Sequence, residues 1–329
     1  MDEVQKASEN AVRELFKKIT REKGRNVFET EDFMDDGSRI KLRIKIEPKT
    51  GDADFDFTGT SPQAWGKPTP IYMMTTFLLT SCVAGNWNAP RAVSNAGIIY
   101  TLRCLVNAEI PLNQGCILPV NAIIPEGCLL KPTKDAAVAA GNGLTNQRLV
   151  DVILKAFEVC AASNGCMANF TFGLGQKGGF GYYETIAGGS GAGPTWVGED
   201  GIHCHMTNTR ITDAEVLERR YPVLLRQFAL RKGSGGRGKN RGGDGVVREV
   251  EFLIDMHAGI LSERRVFQPY GMAGGEPGER GLNLWFRKNG QVINIGGKAS
   301  CYVKAGDRIR ICTPGAGAYG APEEAAAGA

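Results

Sequence analysis

Long apolar runs are absent from this 329-residue sequence. No uninterrupted hydrophobic stretch approaches the roughly 20 residues that a helical bilayer span requires, so a membrane anchor is not expected. Histidine is scarce: His203, His205 and His257 are the whole supply, and imidazole chemistry near neutral pH is confined to those positions. A dominant charge is missing too. Thirty-nine basic against 35 acidic residues leave +4, dispersed along the chain, and without a supporting motif this implies no nucleic-acid partner. Nine cysteines are present, yet no Cys-x-x-Cys pair occurs. Their odd number, their irregular spacing and the lack of a charged, apolar leader imply reduced thiols in a cytoplasmic protein. Cys160 and Cys166, with His203, Cys204 and His205 downstream, lack zinc-ligand spacing, so no metal is expected.

What is there is an ordinary globular balance, 42% hydrophobic and 22% charged, long enough for one large domain or two smaller ones. Val4, Ala7, Ala11, Val12, Leu15, Phe16 and Ile19 form a stripe at helical spacing, a packing helix over residues 3 to 20. "RIKLRIKI" and "DADFDFTG" alternate about the turn from Lys49 to Asp52 and read as a hairpin. The acids from Asp32 to Asp36 fail as a calcium loop, because Arg43 stands where a bidentate Glu is needed, and read as a solvated turn. Helices are predicted from Ala89 to Val106 and from Gln147 to Cys160, the second capped by Thr145, with Leu149, Val152, Ile153, Ala156 and Phe157 inward. Residues 170 to 193 are glycine-rich and read as strands and tight turns. A short helix in "TDAEVLERRYP" stops at Pro222, and the remainder alternates like sheet. Helices first and strands later give an α+β class, with mixed or antiparallel sheets and a strand-rich C-terminal half.

"GSGGRGKNRGGDG", residues 233 to 245, gives Gly-x-x-x-x-Gly-Lys from Gly233 to Lys239, but Asn240 stands where Ser or Thr would hold magnesium. Strand alternation, not a helix, follows it, which argues against a nucleotide loop. A flexible surface turn and a shaped anion-binding loop remain. The second is favoured, because glycines let amides converge on an anion and Arg237, Lys239 and Arg241 add charge.

"DFTGTSP", "PLNQGC", "GFGYYETIAGGSGAGPTW", "HCHMTNTRITDAEVLERRYPVLL", "GSGGRGKNRGGDGVVREVEF" and "ILSERR" occur in that order. Together they resemble the hydantoinase B/oxoprolinase family over nearly the whole chain, and "GNWNAP" and "HMTNTR" resemble its eukaryotic ATP-dependent oxoprolinase branch, in its C-terminal region. The resemblance implies a cytosolic enzyme of glutathione turnover, the gamma-glutamyl cycle, that opens 5-oxo-L-proline to L-glutamate with ATP hydrolysis. It implies ATP and Mg bound mainly outside this chain, by a hydantoinase A-like half, with no cofactor held here, and a homo-oligomer when full length. The family's N-terminal motif bearing histidine and aspartate has no counterpart, so residues 1–329 are expected to be a partial hydantoinase B/oxoprolinase domain.

A second departure lies between "GTSPQAW" and "GNWNAP", which the resemblance implies should be nearly contiguous. Residues 66–84, "GKPTPIYMMTTFLLTSCVA", separate them. Gly-Lys is encodable by GGTAAG, Ala-Gly by GCAGG and Leu-Leu-Thr by a sequence containing CTGAC, which are splice donor, acceptor and branch-site patterns. An in-frame retained intron is the favoured reading, against a natural insertion loop.

Hydrolysis of an activated amide needs a proton acceptor for water, donors for the oxyanion and a cation for the substrate carboxylate. His205 beside Asn208 is the first acid/base candidate, and Glu184 the second; the bland alternatives are a satisfied sheet histidine and a sheet-face carboxylate. Asn208 and the amides of Ser234, Gly235 and Gly236 are oxyanion candidates, and Arg210 or Arg241 is placed to bind a carboxylate bidentately. Ser234 as nucleophile lacks an assignable His/Asp partner. Asn113 and Gln114 read as turn residues near the site, and Cys160, Cys166 and Cys204 as core fillers. Three readings stand: the hydrolase half of an oxoprolinase, a catalytically incomplete scaffold or interaction module, and a hydantoin-cleaving relative.

Overall fold

The computed structural model describes residues 2–65, 85–106, 108–175 and 178–322. The insertion assigned to residues 66–84 lies outside them. The chain divides into two compact units, one built from residues up to Ala64 and from Trp87 to Val159, the other chiefly from Cys160 onward. Each is α+β. No described helix is long and apolar enough to cross a membrane, and none of the eight described cysteines forms a disulfide.

In the first unit, helix α1 (Asp2–Lys23) buries Val12 and Phe16 of the expected stripe, with Ser8 beside them; Ala11, Leu15 and Ile19 are half-buried, while Val4 and Ala7 at its start are exposed. Strands β1 (Val27–Phe33), β2 (Arg39–Ile46), β3 (Ala53–Asp56) and β4 (Val120–Ile123) form a sheet in that order. The expected β2/β3 hairpin is present, pairing Arg43 with Asp56 and Ile46 with Ala53. In β2, Ile40, Leu42, Ile44 and Ile46 are buried while their charged neighbours lie on the other face. Helix α2 (Arg91–Leu105) starts after Pro90. Helix α3 (Gln147–Ala156) buries Leu149, Val152, Ile153 and Ala156 as expected. Phe16, Phe28, Phe55 and Phe157 form the core, with ring centroids 5.6 to 6.4 Å apart.

Two local expectations are corrected here. Asp32 is not in a solvated turn: it is 7% exposed and faces the fully buried guanidinium of Arg148 at 3.6 Å. Thr145 does not cap α3; one π-helical stretch, Gly141–Asn146, runs into it, and the Thr145 hydroxyl donates to the Trp87 carbonyl. The described residues on either side of 66–84 are clasped. Asn88, fully buried, accepts from the Ala64 amide at 2.7 Å and donates to the Ala64 carbonyl at 2.9 Å.

The second unit holds two antiparallel sheets. One orders β11 (Val292–Asn294), β10 (Leu282–Phe286), β13 (Arg308–Cys312), β8 (Gly245–Phe252) and β7 (Val223–Arg231). The other orders β12 (Lys298–Val303), β9 (Met256–Leu261), β5 (Asn169–Gly173) and β6 (Gly181–Thr185). Phe172 joins their inner faces, 4.7 Å from Tyr182 and 5.9 Å from Phe252 between centroids. Helix α4 (Ala214–Arg220) is capped by Asp213, which accepts from the Glu215 and Val216 amides.

Beyond β6 the glycine-rich sequence does not form strands and tight turns. Residues 188 to 193 are extended but bond to four other segments. Gly189 and Ala192 donate to Pro314 and Gly317, three residues apart on each chain. Ser190 and Gly193 donate to Glu199 and Trp196; Ala161 and Asn164 donate to Ala192 and Gly189; Gly243 donates to Ser190. A β-strand has ladder partners on two sides only. Four partners and a three-residue period require the backbone to present its polar groups around its whole circumference, as a polyproline II-type chain does. The backbones then approach too closely for side chains. A Cβ on Gly189 would lie 1.9 Å from the Gly243 carbonyl oxygen, and one on Gly317 1.8 Å from that of Tyr270. The bundle accounts for a share of the 44 glycines, while others, such as Gly24 and Gly37, serve turns at positive φ.

Candidate active site

Strand β6 alternates so that Tyr182 and Glu184 face inward, and β8 turns Arg248 toward them. Arg248 donates through Nε to Glu184 Oε1 at 2.7 Å and through Nη2 to Oε2 at 2.9 Å, and the Tyr182 hydroxyl donates to Oε2 at 2.7 Å. Side-chain exposure is 0% for Arg248 and 3% for Glu184. The guanidinium lies 5.0 Å from the Phe228 ring centroid. Burial, and the neighbouring Glu184 carboxylate, push the Tyr182 phenol well above its ordinary pKa, against a bond from Thr212. Both Glu184 oxygens are thus engaged, and the group joins the two sheets as a buried ion pair instead of standing open to water.

Beside this pair runs the "HCHMTNTR" segment, residues 203–210. The Thr209 hydroxyl meets that of Thr185 at 2.6 Å, and Thr212 reaches Tyr182. His205 is half-buried with φ 54°, a left-handed conformation unusual outside glycine. Asn208 and Arg210 are exposed. His203 is half-buried, and desolvation lowers its pKa. His205, Asn208 and Arg210 therefore share one segment, tied to β6 through Thr209 and Thr185. His257 lies apart on β9, its ring 5.0 Å from Tyr302.

The loop from residue 233 to 245 carries its own anion. Asp244 accepts from the Gly235 amide at 2.7 Å and from the Gly233 amide at 3.1 Å. The Gly236 amide donates to the Ala316 carbonyl. Ser234 is 1% exposed, and its hydroxyl accepts from the Gly245 amide at 2.9 Å. Arg241 grips Asp200 at 2.7 and 3.0 Å, and Asp200 also accepts from the Asp244 amide. The Arg241 bond, chiefly, holds the Asp200 carboxyl below its usual range against some desolvation. Arg237 is bidentate on Glu276. These residues do not fit a nucleotide: the amides that would hold phosphate have internal acceptors, and β8 follows where a helix would be needed. Ser234, Gly235, Gly236 and Arg241 are placed in the bundle's hydrogen-bond network. Gly201, four residues before His205, donates to the Asp244 carbonyl and links this network to the surface segment.

Sequence reasoning missed Arg248, Tyr182, Asp200 and Asp244. One signal was legible: Arg248 in "GVVREVEF" and Glu184 in "GYYETI" are opposite charges at apolar-face positions of alternating strands. The turn residues fare differently. Asn113 accepts from Gly115 and caps the 3₁₀ turn Gln114–Cys116, which belongs to the first unit.

A buried inter-sheet ion pair, a glycine bundle and two α+β units define the class. The family model described as hydantoinase B/oxoprolinase matches residues 1–82 and 79–322, and the chain belongs to that family. Among curated proteins it is similar to 5-oxoprolinase 1 of Arabidopsis thaliana, 50% identical over 330 residues, covering 97% of this chain and 24% of the relative. It is 48% identical over 336 residues to the 5-oxoprolinase of Saccharomyces cerevisiae, covering 97% of this chain and 25% of that protein. The chain thus spans about a quarter of the length of these relatives. Its fold is shared with an ATP-dependent caprolactamase from Pseudomonas jessenii, at TM-score 0.75 and 21% identity, over 97% of this chain and 55% of that one.

Proposed function

We propose that this chain is the hydrolytic part of an ATP-dependent 5-oxoprolinase. It would act in the cytoplasm with a hydantoinase A-like part to open 5-oxo-L-proline to L-glutamate. The observation that carries the reading is the 48 to 50% identity to named 5-oxoprolinases across nearly all of this chain.

A lactam resists water because amide resonance must be broken first. ATP, bound on the A-like part, supplies that activation by phosphorylating the lactam oxygen. Water then adds to the ring carbon and the ring C–N bond breaks, freeing the amine and leaving an acyl phosphate, which a second water hydrolyses to the carboxylate and phosphate. In this chain His205 takes the proton from water, Asn208 donates to the oxyanion, and Arg210 binds the substrate carboxylate. The Glu184–Arg248 pair fixes strand β6, to which that segment is tied. Ser234, Gly235, Gly236 and Arg241 shape its edge through the bundle.

The engagement of Glu184, Ser234 and Arg241 in internal bonds favours a second reading, a scaffold without a complete site. Glutamate release from 5-oxoproline and ATP separates the two, measured with this chain alone, with a hydantoinase A-like polypeptide alone, and with both. Release only from the mixture supports the hydrolase reading. Release undiminished by omitting this chain refutes it. Turnover of hydantoin but not 5-oxoproline would favour a hydantoin-cleaving relative.

A further inference from the structure

Strand β6 is an edge of its sheet, and the chain returns along it in the antiparallel sense. Ile202 bridges Gly188, each amide donating to the other's carbonyl, at 2.8 and 3.3 Å. The next tie is Thr209 to Thr185, hydroxyl to hydroxyl at 2.6 Å, and Thr212 reaches Tyr182 three residues further along each chain. Between the first two ties the returning segment advances seven residues while its partner advances three. At about 3.3 Å per extended residue, roughly 23 Å of chain must close over a gap of about 10 Å. The surplus bows out as a loop that contains His205 and Asn208. The left-handed turn at His205, φ 54°, is part of that bow.

The two ends of the loop are held unequally. A backbone bridge closes the first, and side-chain hydroxyls close the second. Thr185 is 5% exposed, so its hydroxyl is anchored in the strand. The Thr209 hydroxyl also accepts from that of Thr207 at 3.4 Å, and the Thr209 amide donates to Thr207 Oγ1 at 3.4 Å. Asn208 is therefore the middle residue of a hydroxyl-closed turn. We infer that Thr185 is a positioning residue for ring opening: its hydroxyl, acting through Thr209, closes this loop and fixes where His205 and Asn208 stand against the substrate. The inference rests on the oxoprolinase reading above, which gives those two residues their roles. The net strength of one hydrogen bond corresponds to about a two- to tenfold change in an equilibrium. Substrate binding selects the closed loop, so the loss of that bond falls mainly on KM.

The test compares this full chain as wild type, Thr185→Val, Thr185→Ser and Thr209→Val, with circular dichroism verifying the fold of each. Nuclear magnetic relaxation of the backbone amides follows the motion of residues 203–210 in the chain alone. Glutamate release from 5-oxoproline and ATP is measured with the hydantoinase A-like polypeptide added. Both valine variants should loosen the loop and raise KM about two- to tenfold with kcat changed less, and Thr185→Ser should stay close to the wild type. Should Thr185→Val fail to fold, Thr209→Val, at an exposed position, carries the comparison. Unchanged loop motion overturns the clasp. A looser loop with unaltered KM overturns the positioning role and leaves the oxoprolinase reading intact. An equal defect in Thr185→Ser assigns the effect to packing and also overturns the inference. No glutamate from the wild-type mixture sinks the oxoprolinase reading, and the positioning role with it.

Discussion

Replacing Glu184 by leucine leaves the Arg248 guanidinium buried without its counter-charge, and replacing Arg248 by methionine strands the carboxylate. Both groups are essentially without solvent contact, and the two N–O distances are 2.7 and 2.9 Å. Removing one member of such a pair costs about 3 to 5 kcal/mol. Domains are stable by only about 5 to 15 kcal/mol, so each single variant should lose roughly a fifth or more of the total. The double variant, Glu184→Leu with Arg248→Met, leaves no buried charge and fills comparable volume. It should recover most of the loss, because an apolar replacement of a buried pair is often neutral. Chemical denaturation followed by near-ultraviolet circular dichroism measures all four proteins, and the cycle gives the coupling directly. Single losses below about 1 kcal/mol, or a double variant as unstable as the sum of the singles, would refute the clamp. The same variants address chemistry. If Glu184 were the water-activating base, the double variant would be stable yet inactive with the A-like polypeptide; as a clamp, it should retain glutamate release.

Gly317→Ala places a methyl 1.8 Å from the Tyr270 carbonyl; forced overpacking costs typically about 1 to 3 kcal/mol, and an unchanged thermal midpoint would contradict the backbone contact. His203 has a lowered pKa in the fold, so the folded state resists its protonation. Its stabilising contribution is complete above the unfolded value near 6.5 and is lost as pH falls through the lower folded value. Melting at pH 7.5 and 5.5 should show a loss that His203→Gln makes shallower; parallel curves would rule out this contribution. We propose that residues 66–84 are dispensable, since Ala64 and Asn88 are held together by paired hydrogen bonds. Joining Trp65 to Gly85 shortens the connection about sixfold, and the logarithmic dependence of closure entropy gives a gain of about 1.5 kcal/mol. A deletion variant that fails to fold would refute this, and sequencing of mature message across the 19 codons tests the intron origin.

The alternation of "RIKLRIKI" and the stripe of α1 declared their elements because one face of each meets water, and that contrast is written in the order of residues. The helix α3 core positions were legible for the same reason. Strand β1 was not singled out, because the acids near its end signalled a turn while Asp32 was in fact neutralised by Arg148 from a distant helix. The motifs marked His205, Asn208, Arg210 and Glu184 as positions of interest and carried the family. They did not disclose that Glu184 is locked to Arg248, or that the anion cradled by the glycine loop is the protein's own Asp244.

By itself, the sequence determined the α+β class, the periodic elements and the family. The tertiary structure alone decided which charges meet and how the glycines are used, because both depend on partners far apart along the chain. A glycine permits close approach without naming the backbone that will approach it. A buried charge needs a counter-ion, and only the folded chain supplies its address.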